Sequence, residues 1–138
     1  MKLLFSTSVR GIRVENIKKN ELQKVQQKKT IHMKKISILY PNEPSRSFNF
    51  EYYLQTHMPR AIQLLSAHHG YKGVSVERGI GTVVTDTAVP FIAMCHYLFD
   101  SVESFVEAFS ANASELQGDI PNYTDIVPVI QFNEVLIT

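Results

Sequence analysis

The side chains best suited to chemistry here are a few histidines and tyrosines, and two of them share the run Phe-Glu-Tyr-Tyr-Leu-Gln-Thr-His-Met-Pro at residues 50–59. Tyr53 and His57 are four residues apart, so a helix stacks them on one face. An imidazole in that place can take up and return a proton, and a phenol beside it can orient a substrate oxygen. His57 is therefore the candidate catalytic residue, with Tyr53 and Tyr40 as candidate substrate contacts. The competing reading is a core histidine bonded to a backbone carbonyl, such as that of Gln55, which loses its helical partner to Pro59.

A second histidine, His96, lies in the apolar run at residues 91–99, where burial obliges it to find a hydrogen-bond partner. If its parity faces the helices it can join His57 in one pocket as a substrate contact; if it faces away it is structural. Tyr123 is placed to close one end of a pocket. His68 and His69 flank a helix end and read as solvated. Cys95 alternates with apolar residues and has no cation nearby in sequence, the pattern of a buried, inert thiol. Neither a metal nor another cofactor is expected: there is no His-Glu-x-x-His, Cys-x-x-Cys or paired-carboxylate spacing, and Gly79-Ile80-Gly81 lacks the rest of a phosphate loop.

The elements that must carry these residues follow from periodicity. Ile36, Ile38 and Tyr40 mark a short strand closed by Pro41, and a Pro/Ser-rich loop runs to residue 47. Asn49 caps a helix whose apolar residues, from Phe50 through Leu65, recur at three- and four-residue spacing. Pro59 within it predicts a kink or break just beyond His57, and Gly70 is available as a left-handed stop. Val74, Val76 and Ile80 give a second strand. Residues 91–99 give a third that is apolar at both parities and so must be covered on both sides. Asp100 and Glu103 have capping-box spacing before a second helix, which Gly118 ends. The dense turn-forming run at residues 118–125 follows, and residues 129–137 make a last strand.

Strand, helix, strand, strand, helix, strand is the order of a ferredoxin-like βαββαβ sandwich, an α+β fold with a four-stranded antiparallel sheet and two helices on one face. The apolar far side of the third strand calls for a second sheet, which a symmetric homodimer packed face to face supplies.

At 138 residues, with 44% apolar and 20% charged, the chain has the composition of one globular domain. The net charge of +1 conceals a division. Residues 1–35 hold ten Lys/Arg against two acidic residues, and residues 36–138 hold four against eleven. Residues 1–32 thus read as a basic, poorly packed tail on a domain at 33–138. An acidic domain behind such a tail is a poor match to a nucleic-acid binder, and no apolar run is long enough to span a membrane. With a single cysteine there is no disulfide framework, which favours a reducing, cytoplasmic setting.

Three runs together resemble the EthD family of the dimeric α/β-barrel superfamily: Tyr-Tyr-Leu-Gln-Thr-His-Met-Pro at 52–59, Leu-Phe-Asp-Ser-Val-Glu at 98–103 and Gly-Asp-Ile-Pro-Asn-Tyr-Thr-Asp at 118–125. The resemblance covers residues 33–138 and leaves the tail out. It implies a ferredoxin-like protomer in a face-to-face dimer, places the family's helix histidine at His57, and implies a small hydrophobic ligand. Related barrels include cofactor-free oxygenases, cyclases, isomerases and haem enzymes. The readings are an enzyme of the first three kinds acting on an apolar or aromatic compound, a non-catalytic ligand-binding protein, or a haem binder using His57 or His96.

Overall fold

The computed structural model describes residues 15–24 and 33–138. Residues 15–24 are helical and exposed throughout; the other expectations about the basic tail lie outside the described residues. The unit at Met33–Glu134 carries the sheet and the core.

Four strands, β1 (Lys34–Pro41), β2 (Tyr71–Arg78), β3 (Phe91–Phe99) and β4 (Val129–Glu134), form one sheet in the order β2-β3-β1-β4. Every neighbouring pair is antiparallel. Cross-strand register explains which side chains share a face. Ile36 lies opposite Tyr97 and Phe132, Ile38 opposite Cys95 and Ile130, and Tyr40 opposite Ala93. The β1 and β3 members of this row, with Val74 and Val76 of β2, pack under the helices in the hydrophobic core, while Ile130 and Phe132 of β4 stay half-exposed. The alternate row contains Ser37, Leu39, Ile92, Met94, His96 and Leu98 on the open face of the sheet. This is the predicted ferredoxin-like arrangement. Its last strand is shorter than the sequence suggests and ends at Glu134.

The first helical stretch comprises α1 (Phe50–Tyr52), a π segment (Tyr53–His57) and α2 (Met58–Leu65). Asn49 caps it as expected, its side-chain oxygen accepting from the Tyr52 backbone N–H at 3.0 Å. The proline effect takes a different form from the predicted kink or break. The ring of Pro59 crowds the carbonyl four residues back. The turn before it widens, and the Met58 N–H reaches back five residues to the Tyr53 carbonyl. The helix therefore continues, and the insertion lies on the residues that carry Tyr53 and His57, a common location for π-bulges at working sites.

The second helical stretch departs from the sequence reading twice. Its N-cap is Ser101 rather than Asp100: the Ser101 Oγ accepts from the Ser104 N–H at 3.0 Å. It also divides into α3 (Val102–Ser110) and α4 (Ala113–Asp119), because Asn112 donates its side-chain amide to the Ala108 carbonyl at 2.8 Å and leaves helical geometry. Gly118 does not end the helix, which runs on through Asp119 into a 3₁₀ turn at Ile120–Asn122. Gly70 is likewise needed for a reason other than a left-handed stop. A Cβ there would stand 2.5 Å from Asp100 Oδ1 and from Ser104 Cβ, so the glycine permits close approach of the chain to α3.

Candidate active site

The widened turn at residues 53–57 carries His57, and the end of α4 brings Asp119 to it from 62 residues away. The His57 Nδ1 lies 2.8 Å from Asp119 Oδ2. The other carboxylate oxygen is held twice, by the Tyr52 hydroxyl at 2.6 Å and the Asn122 amide at 2.9 Å. Burial alone would disfavour the Asp119 charge, but the bonds from Tyr52, Asn122 and His57, with the imidazole's charge, outweigh it and hold the carboxyl below its usual range.

An ionised carboxylate accepts only, so the neutral His57 must carry its proton on Nδ1. Nε2 is left with a lone pair and makes no hydrogen bond among the described residues. In such a pair a carboxylate fixes the tautomer and balances the charge that appears when the ring is protonated. The alternative sequence reading, a histidine satisfied by a freed backbone carbonyl, is replaced by this pairing.

His57 borders two spaces of opposite character. On the outer side is a polar cleft of about 350 Å³ lined by Arg60, Glu115, Asp119 and Asn122. Arg60 Nε and Glu115 Oε1 form an ion pair there at 2.6 Å. On the inner side is an apolar cavity of about 90 Å³ between helices and sheet, bordered by Ile38, Leu65, Phe105 and Ile130 and by Tyr40, Tyr97 and Tyr123. No Asp, Glu, Lys or Arg lines the inner space.

Tyr40 and Tyr123 share a hydrogen bond between their hydroxyls at 2.9 Å on the cavity wall. Burial raises both phenols above their usual pKa, which keeps them protonated. Tyr53 does not line the cavity. Its ring is 2% exposed and stacks on His57 at 5.5 Å with an interplanar angle of 14°, so it supports the imidazole from behind. Tyr123 packs on the same imidazole at 4.6 Å.

His96 is not brought to this site. It belongs to the open face, where its Nδ1 lies 2.7 Å from Ser37 Oγ, which also receives the Asn133 amide at 2.9 Å. Its Nε2 stands 3.6 Å from Glu77 Oε2. The strand's parity thus selects the structural reading for His96. His68, expected to be solvated, instead accepts the Gly70 N–H at Nδ1 and donates from Nε2 to Glu107 at 3.0 Å. Cys95 is 1% exposed, and burial pushes its thiol up to about 12, far from a nucleophile.

A haem does not suit these residues. The inner cavity is smaller than the ~150 Å³ of an apolar cavity that takes a benzene, and a porphyrin is much larger. Among the described residues no three His, Cys, Asp or Glu side chains converge as metal ligands.

The sequence alone does not single out Asp119. Its segment, Gly-Asp-Ile-Pro, is distinctive, but as a turn former it has a local explanation that hides the long-range partner.

Comparison with known proteins agrees with the fold. The EthD domain model matches residues 43–126, which include His57, Asp119 and Tyr123. Among solved structures, an EthD-like protein from Ralstonia eutropha superposes with a TM-score of 0.72 at 35% identity, over 77% of this chain and 94% of its own. An ethyl tert-butyl ether D family protein from Bacillus halodurans gives 0.50 at 21% identity, over 74% and 97%. A candidate antibiotic-biosynthesis monooxygenase from Bordetella bronchiseptica gives 0.56 at 15% identity, over 77% and 99%, a likeness of fold alone. No curated protein sequence matches the chain.

Proposed function

Since this chain belongs to the EthD family, we propose that it is a cofactor-free enzyme that moves a proton on a small apolar compound held in the inner cavity, with His57 as the base. The observation that carries this reading is the Asp119–His57 pair at the boundary of a cavity without charge of its own. His57 Nε2 takes a proton from the bound compound and becomes imidazolium. Asp119, kept ionised by Tyr52 and Asn122, balances that charge without itself taking the proton. The electron pair left on the substrate is the common starting point of an isomerisation, a ring closure or a reaction with oxygen.

The two-sided placement of His57 gives the proton an exit. His57 lines both spaces, and Asp119, bonded to its Nδ1, lines the polar cleft, so exchange with solvent does not require the substrate to leave. Incubating the protein in D₂O with a panel of enolisable and phenolic ring compounds tests the reading. Deuterium should enter at carbon in at least one of them, at a rate proportional to protein concentration. No protein-dependent incorporation in any would leave a ligand-binding role.

The open sheet face supports a homodimer. It joins apolar Leu39, Ile92, Met94, Leu98 and Val129 around the Asn133–Ser37–His96–Glu77 chain of polar contacts. A second copy covers the apolar side chains and leaves that chain satisfied. Light scattering at micromolar concentration should give twice the 15.7 kDa chain mass; a monomeric mass would remove the dimer. No helix among the described residues is long and apolar enough to cross a membrane.

A further inference from the structure

We infer that the inner cavity selects the uncharged carbonyl end of an apolar compound, its oxygen received by the Tyr40–Tyr123 hydroxyl pair and its adjacent C–H presented to His57. This rests on the proposed proton-transfer role and adds the class of compound. Three features of the cavity lead to it.

The first is the lining. Apart from His57, its polar groups are Gln117 and the tyrosine hydroxyls, with no Lys or Arg. A carboxylate or phosphate brought inside loses its water with no fixed cation in return, a heavy cost. Protonated His57 does not remedy this, because Asp119 already compensates that charge at 2.8 Å. A second anion would leave one imidazolium between two negative groups. Arg60, the cation that lines the outer cleft, is already taken by Glu115.

The second is the phenol pair. Between two hydroxyls 2.9 Å apart, one proton is used by the mutual bond and the other remains to be donated. A carbonyl oxygen accepts and does not donate, so it matches that remaining proton. When the α C–H bond breaks, its proton goes to Nε2 and its electron pair shifts onto this oxygen. The enolate thus forms where a donor is already oriented. The ring of Tyr123 lies 4.6 Å from that of His57, so donor and base belong to one small space.

The third is size. At about 90 Å³ the cavity is well below the ~300–1,000 Å³ of pockets for drug-sized ligands. It accommodates the carbonyl end of a compound whose remainder extends beyond it.

The probes are cyclopentanone and cyclopentanecarboxylate, which share a ring and differ in charge, titrated into the full chain with protein NMR shifts as the readout. The ketone should bind at least tenfold more tightly than the carboxylate and perturb the Tyr40, Tyr123 and His57 resonances. Y40F and Y123F combined should weaken the ketone about tenfold, the value of one lost hydrogen bond near 1.4 kcal/mol, with little change for the carboxylate, whereas either variant alone leaves one hydroxyl free to donate. Because the wild-type preference needs no variant, misfolding of the double variant does not rescue the proposal. A carboxylate bound as tightly as the ketone overturns it. So does a ketone that fails to bind up to its solubility, or one bound equally well by wild type and the double variant. Deuterium incorporation reports separately on the base: ketone preference without exchange refutes the proton-transfer role and leaves this selectivity standing.

Discussion

Replacing His57 by alanine should lower protein-dependent deuterium incorporation by about 100-fold to 10,000-fold, the range over which a positioned general base acts. Binding should change much less, because the Tyr40–Tyr123 pair comes from other elements, β1 and the residue after the 3₁₀ turn. That division separates the catalytic role from a packing role. A purely structural histidine, stacked as this one is between Tyr53 and Tyr123, would give loss of folding and binding together. Thermal unfolding of the variant should be recorded with the exchange rate. Wild-type exchange in His57→Ala with an intact fold would refute the assignment.

Asp119→Asn should cost nearly as much through a different cause. An amide nitrogen turned toward His57 donates to Nδ1, which reverses the tautomer and places the proton on Nε2, where the lone pair is needed. In Ser-His-Asp triads the same tautomer error costs on the order of 10⁴ in rate with the geometry intact. The expected loss here is about 100-fold to 10,000-fold, with ligand affinity retained. Tyr52 and Asn122 remain beside the amide and help keep it in place.

The wild-type carboxylate also makes a pH-dependent contribution to stability. Asp119 is held below its unfolded value of ~3.9, so the contribution is complete above that pH and is lost as the pH falls through the folded value. In Asp119→Asn that segment of the acid unfolding curve should flatten.

Much of the scaffold was legible because it repeats. Alternation in β1 and the 3.6-residue period of residues 50–65 are each repeated several times, so one exceptional residue does not obscure them. The departures occur where a single side chain competes with the local rule. Pro59 is absorbed by a wider turn upstream instead of a break, and Asn112 ends α3 by bonding back to Ala108. Ser101 outcompetes Asp100 as the cap by a shift of one residue.

The candidate site was half legible for a related reason. His57 could be singled out from its spacing and its proline, since both are local. Its partner could not, because the Asp119 contact depends on α4 continuing past Gly118, and the Tyr40–Tyr123 bond joins residues 83 apart. His96 illustrates the opposite difficulty. Both parities of β3 are apolar, so alternation carried no information about which face the imidazole occupies, and only the pairing with β1 decides it.

Proton transfer by His57 requires a ring that carries its proton on Nδ1 and offers the Nε2 lone pair to the substrate. Nitrogen-15 NMR of the histidine ring observes this directly, because protonated and unprotonated ring nitrogens resonate apart. The account predicts a protonated Nδ1 and an unprotonated Nε2 in the wild type, exchanged for the opposite tautomer in Asp119→Asn. A wild-type ring with its proton on Nε2 would contradict it.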